Sequence, residues 1–204
     1  MILRLQTFLK IKIMKKIFFS LLILTSILAS CGSDELTIPK PPTFLNVALP
    51  EHKYLHYAPD CPYSFDIPTI FKIKNVNYGA KNTCHRDIEL GPLNGTLHFS
   101  YIEMDKPLAE YVNFSISKVD DHKIKATAIE DENIIRPKDK IYGTFFELQG
   151  DVASPFQFYL TDSTSRFVSG VVYFNARPNY DSIKPTLDYL KVDLKRFLNS
   201  FKWK

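Results

Sequence analysis

Hydrophobic and polar positions along this chain follow two periods, two and 3.6. Residues 63–67 alternate apolar and polar as a half-buried strand does, and Pro68 ends or edges it. Phe71, Ile73 and Val76 predict a second strand, closed by a turn at Asn77-Tyr78-Gly79. Residues 85–90 and 96–102 predict a strand pair joined through Gly91-Pro92 and Asn94-Gly95. In the second of these, Leu97, Phe99 and Tyr101 share one face, with His98 and Ser100 on the other. The period then lengthens. Leu108, Tyr111, Val112, Ser115, Ile116 and Val119 form a helical stripe opened by Pro107, with Asp105 as its cap and Asp120-Asp121-His122 as its end. Residues 124–129 alternate weakly and fit either a strand or a short helix, the latter favoured by Ala126 and Ala128. Three strands follow at 142–148, 156–161 and 167–176, with turns at Gly150-Asp151 and 162–165. Phe156, Phe158 and Leu160 face one way, and Gln157, Tyr159 and Thr161 the other. The third strand is apolar on both faces for part of its length, which places it centrally. Ile183, Leu187, Leu190, Leu194, Phe197 and Leu198 then give a second helix, capped by Asp181 or Ser182, with Pro185 in its first turn. The sum predicts an α+β fold: an antiparallel β-sheet sandwich with two packing helices in a single domain, over residues 51–204.

The first 30 residues carry a different pattern. Lys15 and Lys16 precede an apolar run of 12 residues, Ile17 to Leu28, and Leu28-Ala29-Ser30-Cys31 closes it. A membrane span needs about 20 apolar residues. A charged start, short apolar core and small-residue exit are those of a secretory signal peptide, residues 1–30. L-A-S-C resembles the lipobox of bacterial lipoproteins, in which the cysteine thiol is lipidated, cleavage falls before it, and the new amine is acylated with a fatty acid such as palmitate. That reading makes Cys31 the lipidation site and is preferred to an ordinary signal ending beside a cysteine. Lipid chains contribute about 0.8 kcal/mol per buried methylene, and two or more hold a protein on a membrane. Met1 to Ile13 adds Arg4, Lys10 and Lys12 ahead of a complete signal, which fits either a true start at Met14 or a longer charged n-region. Residues 31–50, with Pro39-Lys40-Pro41-Pro42, form an extended tether that spans roughly 60 Å at full stretch. The fold proper begins near Val47 or Tyr54, and His52, His56 and Tyr57 read as surface residues.

The signal changes the meaning of the charge. The formal net charge of +4 includes five basic residues and no acid within residues 1–30. Cleavage leaves 21 basic against 22 acidic residues, hence −1, and no basic surplus suited to nucleic acid. Once Cys31 is lipidated, Cys61 and Cys84 remain, and an oxidising compartment favours a disulfide between them. A zinc site built from Cys61, Cys84, His85 and His56 is the rival, although the spacing fits only poorly.

No catalytic motif, phosphate loop or dinucleotide fingerprint occurs, and no cofactor is implied. His85-Arg86-Asp87 cannot act as a compact triad, because strand neighbours point to opposite faces, and it reads as solvated surface. Asp120-Asp121-His122 reads as a polar helix end. Glu147, beside Phe145 and Phe146, is either paired for structure, the commoner case, or lines a pocket. Asp162-Ser163-Thr164 and Asp181-Ser182-Ile183 resemble an acceptor motif for O-glycosylation in Bacteroidota, which makes Ser163 and Ser182 candidate glycosylation sites.

Beyond the lipobox, a longer set of residues carries a resemblance. It begins with Cys61-Pro62-Tyr63-Ser64-Phe65, then Ile124-Lys125-Ala126 and Ala128-Ile129. It continues through Tyr142-Gly143, Glu147-Leu148, Gly150, Ala153-Ser154, Gln157-Phe158 and Leu160-Thr161-Asp162-Ser163. Gly170, Tyr173-Phe174, Pro178-Asn179, Asp181-Ser182, Pro185 and the terminal Phe201-Lys202-Trp203-Lys204 complete it. With these the chain resembles the gliding-motility lipoprotein GldD family of Bacteroidota. The resemblance implies a lipid-anchored envelope protein, attached to the membrane through acylated Cys31 and required for gliding and the linked type IX secretion system. It implies partners among the proteins of that machinery and no enzymatic activity.

A small envelope enzyme or ligand-binding lipoprotein is the competing class. Its mark would be a deep pocket where Glu147, a histidine and an arginine converge. Gly32 is not the aspartate that retains enteric lipoproteins at the inner membrane, and Ser33-Asp34-Glu35 loosely resembles an acidic surface-export signal. The expected location is therefore the cell envelope, with the domain outside the cytoplasm.

Overall fold

The computed structural model describes residues 49–76, 84–175 and 179–204. The signal, Cys31, nearly all of the tether and the expected turn at Asn77-Tyr78-Gly79 lie outside the described residues. Ten strands and two α-helices occur among the described residues: β1 (Tyr54–Tyr57), β2 (Tyr63–Pro68), β3 (Lys72–Val76), β4 (His85–Glu89), β5 (Gly95–Glu103), α1 (Leu108–Asp120), β6 (Ala126–Arg136), β7 (Ile141–Gly150), β8 (Phe156–Thr161), β9 (Arg166–Phe174), α2 (Tyr180–Ser200) and β10 (Lys202–Trp203).

Every strand pair is antiparallel. One sheet has the order β3-β4-β5-β9-β8-β7-β6, and a smaller one has β1-β2-β10. The expected α+β sandwich is thus present, and β9 stands at the centre of the large sheet as its two-sided apolar pattern required. Alternation sorts the large sheet's side chains. Leu97, Phe99, Phe158, Leu160, Val168 and Val172 enter the main core. There they meet Tyr63 and Phe65 of β2 and Leu190, Leu194 and Phe197 of α2. Aromatic rings knit these layers: Phe197 lies 4.2 Å from Phe65 and 5.6 Å from Phe158, centroid to centroid. Helix α1 packs on part of the opposite face of the large sheet, with Val119 against Leu148 and Val152.

Several expectations change. Residues 126–136 form strand β6, which decides residues 124–129, open between strand and short helix, for the strand. Ten residue pairs with β7 outweigh the helical preference of two alanines. As an edge strand, β6 keeps most of its length exposed, and Glu130, Asp131 and Glu132 guard that edge. Asp105 does not cap α1. Pro107 is the cap residue, without a side-chain bond, and Asp105 accepts a 2.6 Å hydrogen bond from the Tyr111 hydroxyl instead. Asn179, rather than Asp181 or Ser182, caps α2, accepting from the Ser182 amide at 3.2 Å. Pro185 therefore falls beyond the first turn and removes the helical bond to the Asp181 carbonyl, on a residue that is exposed. At the other end of α2, the Arg136 guanidinium donates to the Leu198, Asn199 and Phe201 carbonyls, where positive charge suits the helix terminus.

Candidate functional site

Helix α1 covers its sheet face incompletely. Its apolar stripe predicts a packed helix, yet Val119 is its one fully buried residue. Val119 meets Leu148 and Val152 in a small second cluster. Toward the N-terminal end, the Tyr111 ring sits 5.6 Å from that of Phe167, and Phe114 is 64% exposed. Between these two contacts a cavity of about 290 Å³ opens, with α1 as one wall and the outward residues of β5, β7, β8 and β9 as the other.

The strand periods dictate what faces this space. Outward positions of β5 bring His98, Ser100 and Ile102, those of β9 bring Phe167, Ser169, Val171 and Tyr173, and β8 brings Gln157. Ser100 and Ser169 are direct cross-strand partners, so the floor carries two neighbouring hydroxyls. Gln157 is 4% exposed, and its amide nitrogen Nε2 has no hydrogen-bond partner. At the rim, His98 Nδ1 lies 2.7 Å from an Asp87 carboxylate oxygen, and the His98 ring meets Tyr173 edge-on. Lys118 stands over the Phe114 ring at 5.3 Å, with Asp121 at 3.7 Å.

The residues singled out by sequence fall elsewhere. Cys61 and Cys84 form a disulfide, so the zinc rival loses both its sulfurs. Among the described residues no group of three metal-ligating side chains occurs. His85-Arg86-Asp87 is not solvated surface: His85 and Arg86 are buried. Arg86 donates to the Tyr57 hydroxyl at 2.8 Å, the His85 carbonyl at 2.7 Å and Cys61 Sγ at 3.2 Å, which satisfies its forked guanidinium internally. Burial, then the nearby Arg86 charge, hold His85 below the usual histidine range. Tyr63 donates to the Cys84 carbonyl at 2.8 Å, and burial pushes its hydroxyl well above the ordinary tyrosine value. Asp120-Asp121-His122 does close α1, with both aspartates exposed. Glu147 pairs with Lys191 of α2, on the core side and away from the cavity. Glu147, a histidine and an arginine therefore do not converge.

Sequence reading also missed a buried acid. Asp193 of α2 is 1% exposed and takes hydrogen bonds from His52 Nδ1 at 2.7 Å and the Tyr54 hydroxyl at 2.9 Å. His52, expected as a surface residue, keeps a side chain 32% exposed while its ring pairs with this buried acid. Burial raises Asp193 above the usual carboxylate range, although the two hydrogen bonds oppose it. Tyr54 is pushed up to about 12 by burial and by Asp193. Ser163 is exposed in the β8–β9 turn with φ of 67°, and Ser182 is half-buried in the first turn of α2.

The family model described as gliding motility lipoprotein GldD matches residues 34–203. No curated protein matches the chain. Among solved structures, the chain is similar to the solution structure of cyanobacterial PsbP (CyanoP) from Synechocystis, at 14% identity over 77% of this chain and 96% of that one, with a TM-score of 0.43.

Proposed function

This chain belongs to the gliding motility lipoprotein GldD family, and from that premise we propose that it is a lipid-anchored structural or assembly component of the gliding apparatus and its type IX secretion machinery. The family match across residues 34–203 carries this reading. It takes in part of the tether together with the whole described fold. In this reading residues 1–30, or 14–30, are the signal, Cys31 holds the lipid, and residues 31–50 lead to a domain at residues 51–204. No described helix is long and apolar enough to cross a membrane, so the anchor assigned to Cys31 is what would hold the domain at the bilayer. The dense aromatic core and the internally satisfied Arg86 suit a rigid part better than a reactive centre. Partners would be other proteins of the same envelope machinery.

Two experiments test this. Radiolabelled fatty acid should enter the wild-type chain and not Cys31→Ala, and the variant should leave the membrane fraction; equal labelling would overturn the anchor. Deletion of the gene should abolish spreading and adhesin secretion together, and normal secretion in the deletion would remove the assembly role. Ser163 and Ser182 are the proposed glycan acceptors, and unshifted masses for both peptides in the envelope-derived protein would discard that assignment.

A further inference from the structure

We propose that the cavity between α1 and the outer face of the large sheet binds a small apolar molecule carrying a carbonyl or carboxylate oxygen. The inference does not depend on the role in gliding. Its first support is packing. A helix that covers a sheet normally fills the interface to crystal-like density. Here α1 is held by Val119 at one end and Tyr111 at the other, and about 290 Å³ between them is left unfilled. That volume lies near the lower end of small-molecule sites, about 300–1,000 Å³. Its walls are largely aromatic, with Tyr111, Phe114, Phe146, Phe167 and Tyr173 presenting rings to it. Such walls suit a flat or slender hydrophobic body.

The second support is independent of shape. Gln157 is almost wholly buried, lines the cavity and has an amide nitrogen with no partner. A buried donor of this kind is destabilising unless something accepts from it. The remaining polar lining consists of the hydroxyls of Ser100, Ser115, Ser169, Tyr111 and Tyr173, with His98 and Lys118 and no acidic side chain. Hydroxyls can donate as well as accept, so the lining can donate to a ligand oxygen from several points and sets no carboxylate against it. The ligand's oxygen would sit at Gln157, with the apolar body along the rings.

The test uses the full chain in lipid nanodiscs, titrated calorimetrically with 4-phenylbutyrate and separately with 4-phenylbutylamine, with empty nanodiscs as background. The acid should bind saturably at one site, and the amine about tenfold more weakly or not at all. Gln157→Leu should weaken the acid by about tenfold, the size of one lost charge-assisted hydrogen bond. Ser115→Trp fills the space from the surface helix and should abolish binding while the melting temperature is kept. Saturable binding that is weakened in Gln157→Leu and lost in Ser115→Trp supports the site. No saturable binding of the acid, equal affinity for the amine, or undiminished affinity in either folded variant overturns it. Water alone at Gln157 in a crystal soaked with the acid overturns it too.

Discussion

The imidazole of His52 lies 2.7 Å from the carboxylate of Asp193, 141 residues away, and ties the segment leading into β1 to the middle of α2. The His52 ring also stacks on Tyr189 at 4.1 Å, and the Tyr189 hydroxyl donates to the Pro50 carbonyl at 2.9 Å. The segment from Pro50 to Tyr54 is thus fastened to the core at several points. Asp193 gives this fastening a pH dependence. Burial raises its folded pKa above the unfolded value. The folded state therefore holds the proton more tightly. The stability this contributes is fully present below the ordinary carboxylate value of about 4 and is lost as pH rises through the raised folded value. Asp193→Asn lacks this titration. Urea unfolding should show the wild-type advantage over Asp193→Asn shrinking between about pH 4 and pH 7. An advantage that grows over that interval would contradict the assignment.

Gly170 opposite Phe158 supplies the second prediction. The two are paired in the β8–β9 register, and a Cβ on Gly170 would stand 2.2 Å from the Phe158 ring. The ring lies where a side chain would otherwise be and covers the glycine's backbone. Gly170→Ala should lose about 1–3 kcal/mol through overpacking. Phe158→Leu costs stability alone but should partly relieve Gly170→Ala. A double-mutant cycle by chemical unfolding should thus show a coupling clearly different from zero. Additive losses would mean that the ring moves away freely.

The pair also shows what was legible in the chain. Alternation placed Phe158 on the core face and Gln157 on the other, and both stand there. Strand β8 was readable from its alternation, and β7 and β9 from their dense β-forming residues and the turn residues that bound them. Strand β6 was hidden because an edge strand with Glu130, Asp131 and Glu132 buries little, so its pattern is not apolar. Strands β1 and β10 are short and exist through pairing with β2, a long-range relation with little local signal. Arg86 was misread because charge ordinarily means exposure. Its burial depends on acceptors from Tyr57 and Cys61, far from it in sequence. The cavity was legible only in its parts. The α1 stripe and the outward residues of β5 and β8 could be named, but the gap between them is a property of their packing.

The disulfide bears on the same corner of the core. Cys61 and Cys84 are 23 residues apart, and their bond closes the loop that carries β2 and β3. Chain entropy gives such a closure about 3 kcal/mol. The double variant Cys61→Ser, Cys84→Ser should lose about that much in urea unfolding, and reduction of the wild type should lose a similar amount. Arg86 also gives up its contact at Cys61 Sγ, so faster amide exchange should appear first in β4. An unchanged unfolding midpoint after verified reduction would show that the core holds this loop unaided.

Asp162 governs the turn between β8 and β9 in the opposite sense to Asp193. One of its carboxylate oxygens accepts from the amides of Thr164, Ser165 and Arg166 at 2.9, 2.8 and 2.9 Å. Burial alone would raise its pKa, but these donors outweigh it and bring the group below the usual carboxylate range. A lowered folded pKa means stability that is present above the unfolded value of about 4 and lost as pH falls through the folded one. Asp162→Ala at neutral pH leaves three amides without their acceptor and should cost about 2 kcal/mol. Near pH 2 the wild type loses the same interaction, so the difference between the two proteins should narrow there. The same variant should raise amide exchange at Thr164 and Ser165 without altering β5, which lies on the far side of β9. A stability gap that stays constant from pH 7 to pH 2 would mean that the turn is held by its backbone geometry and not by the charge.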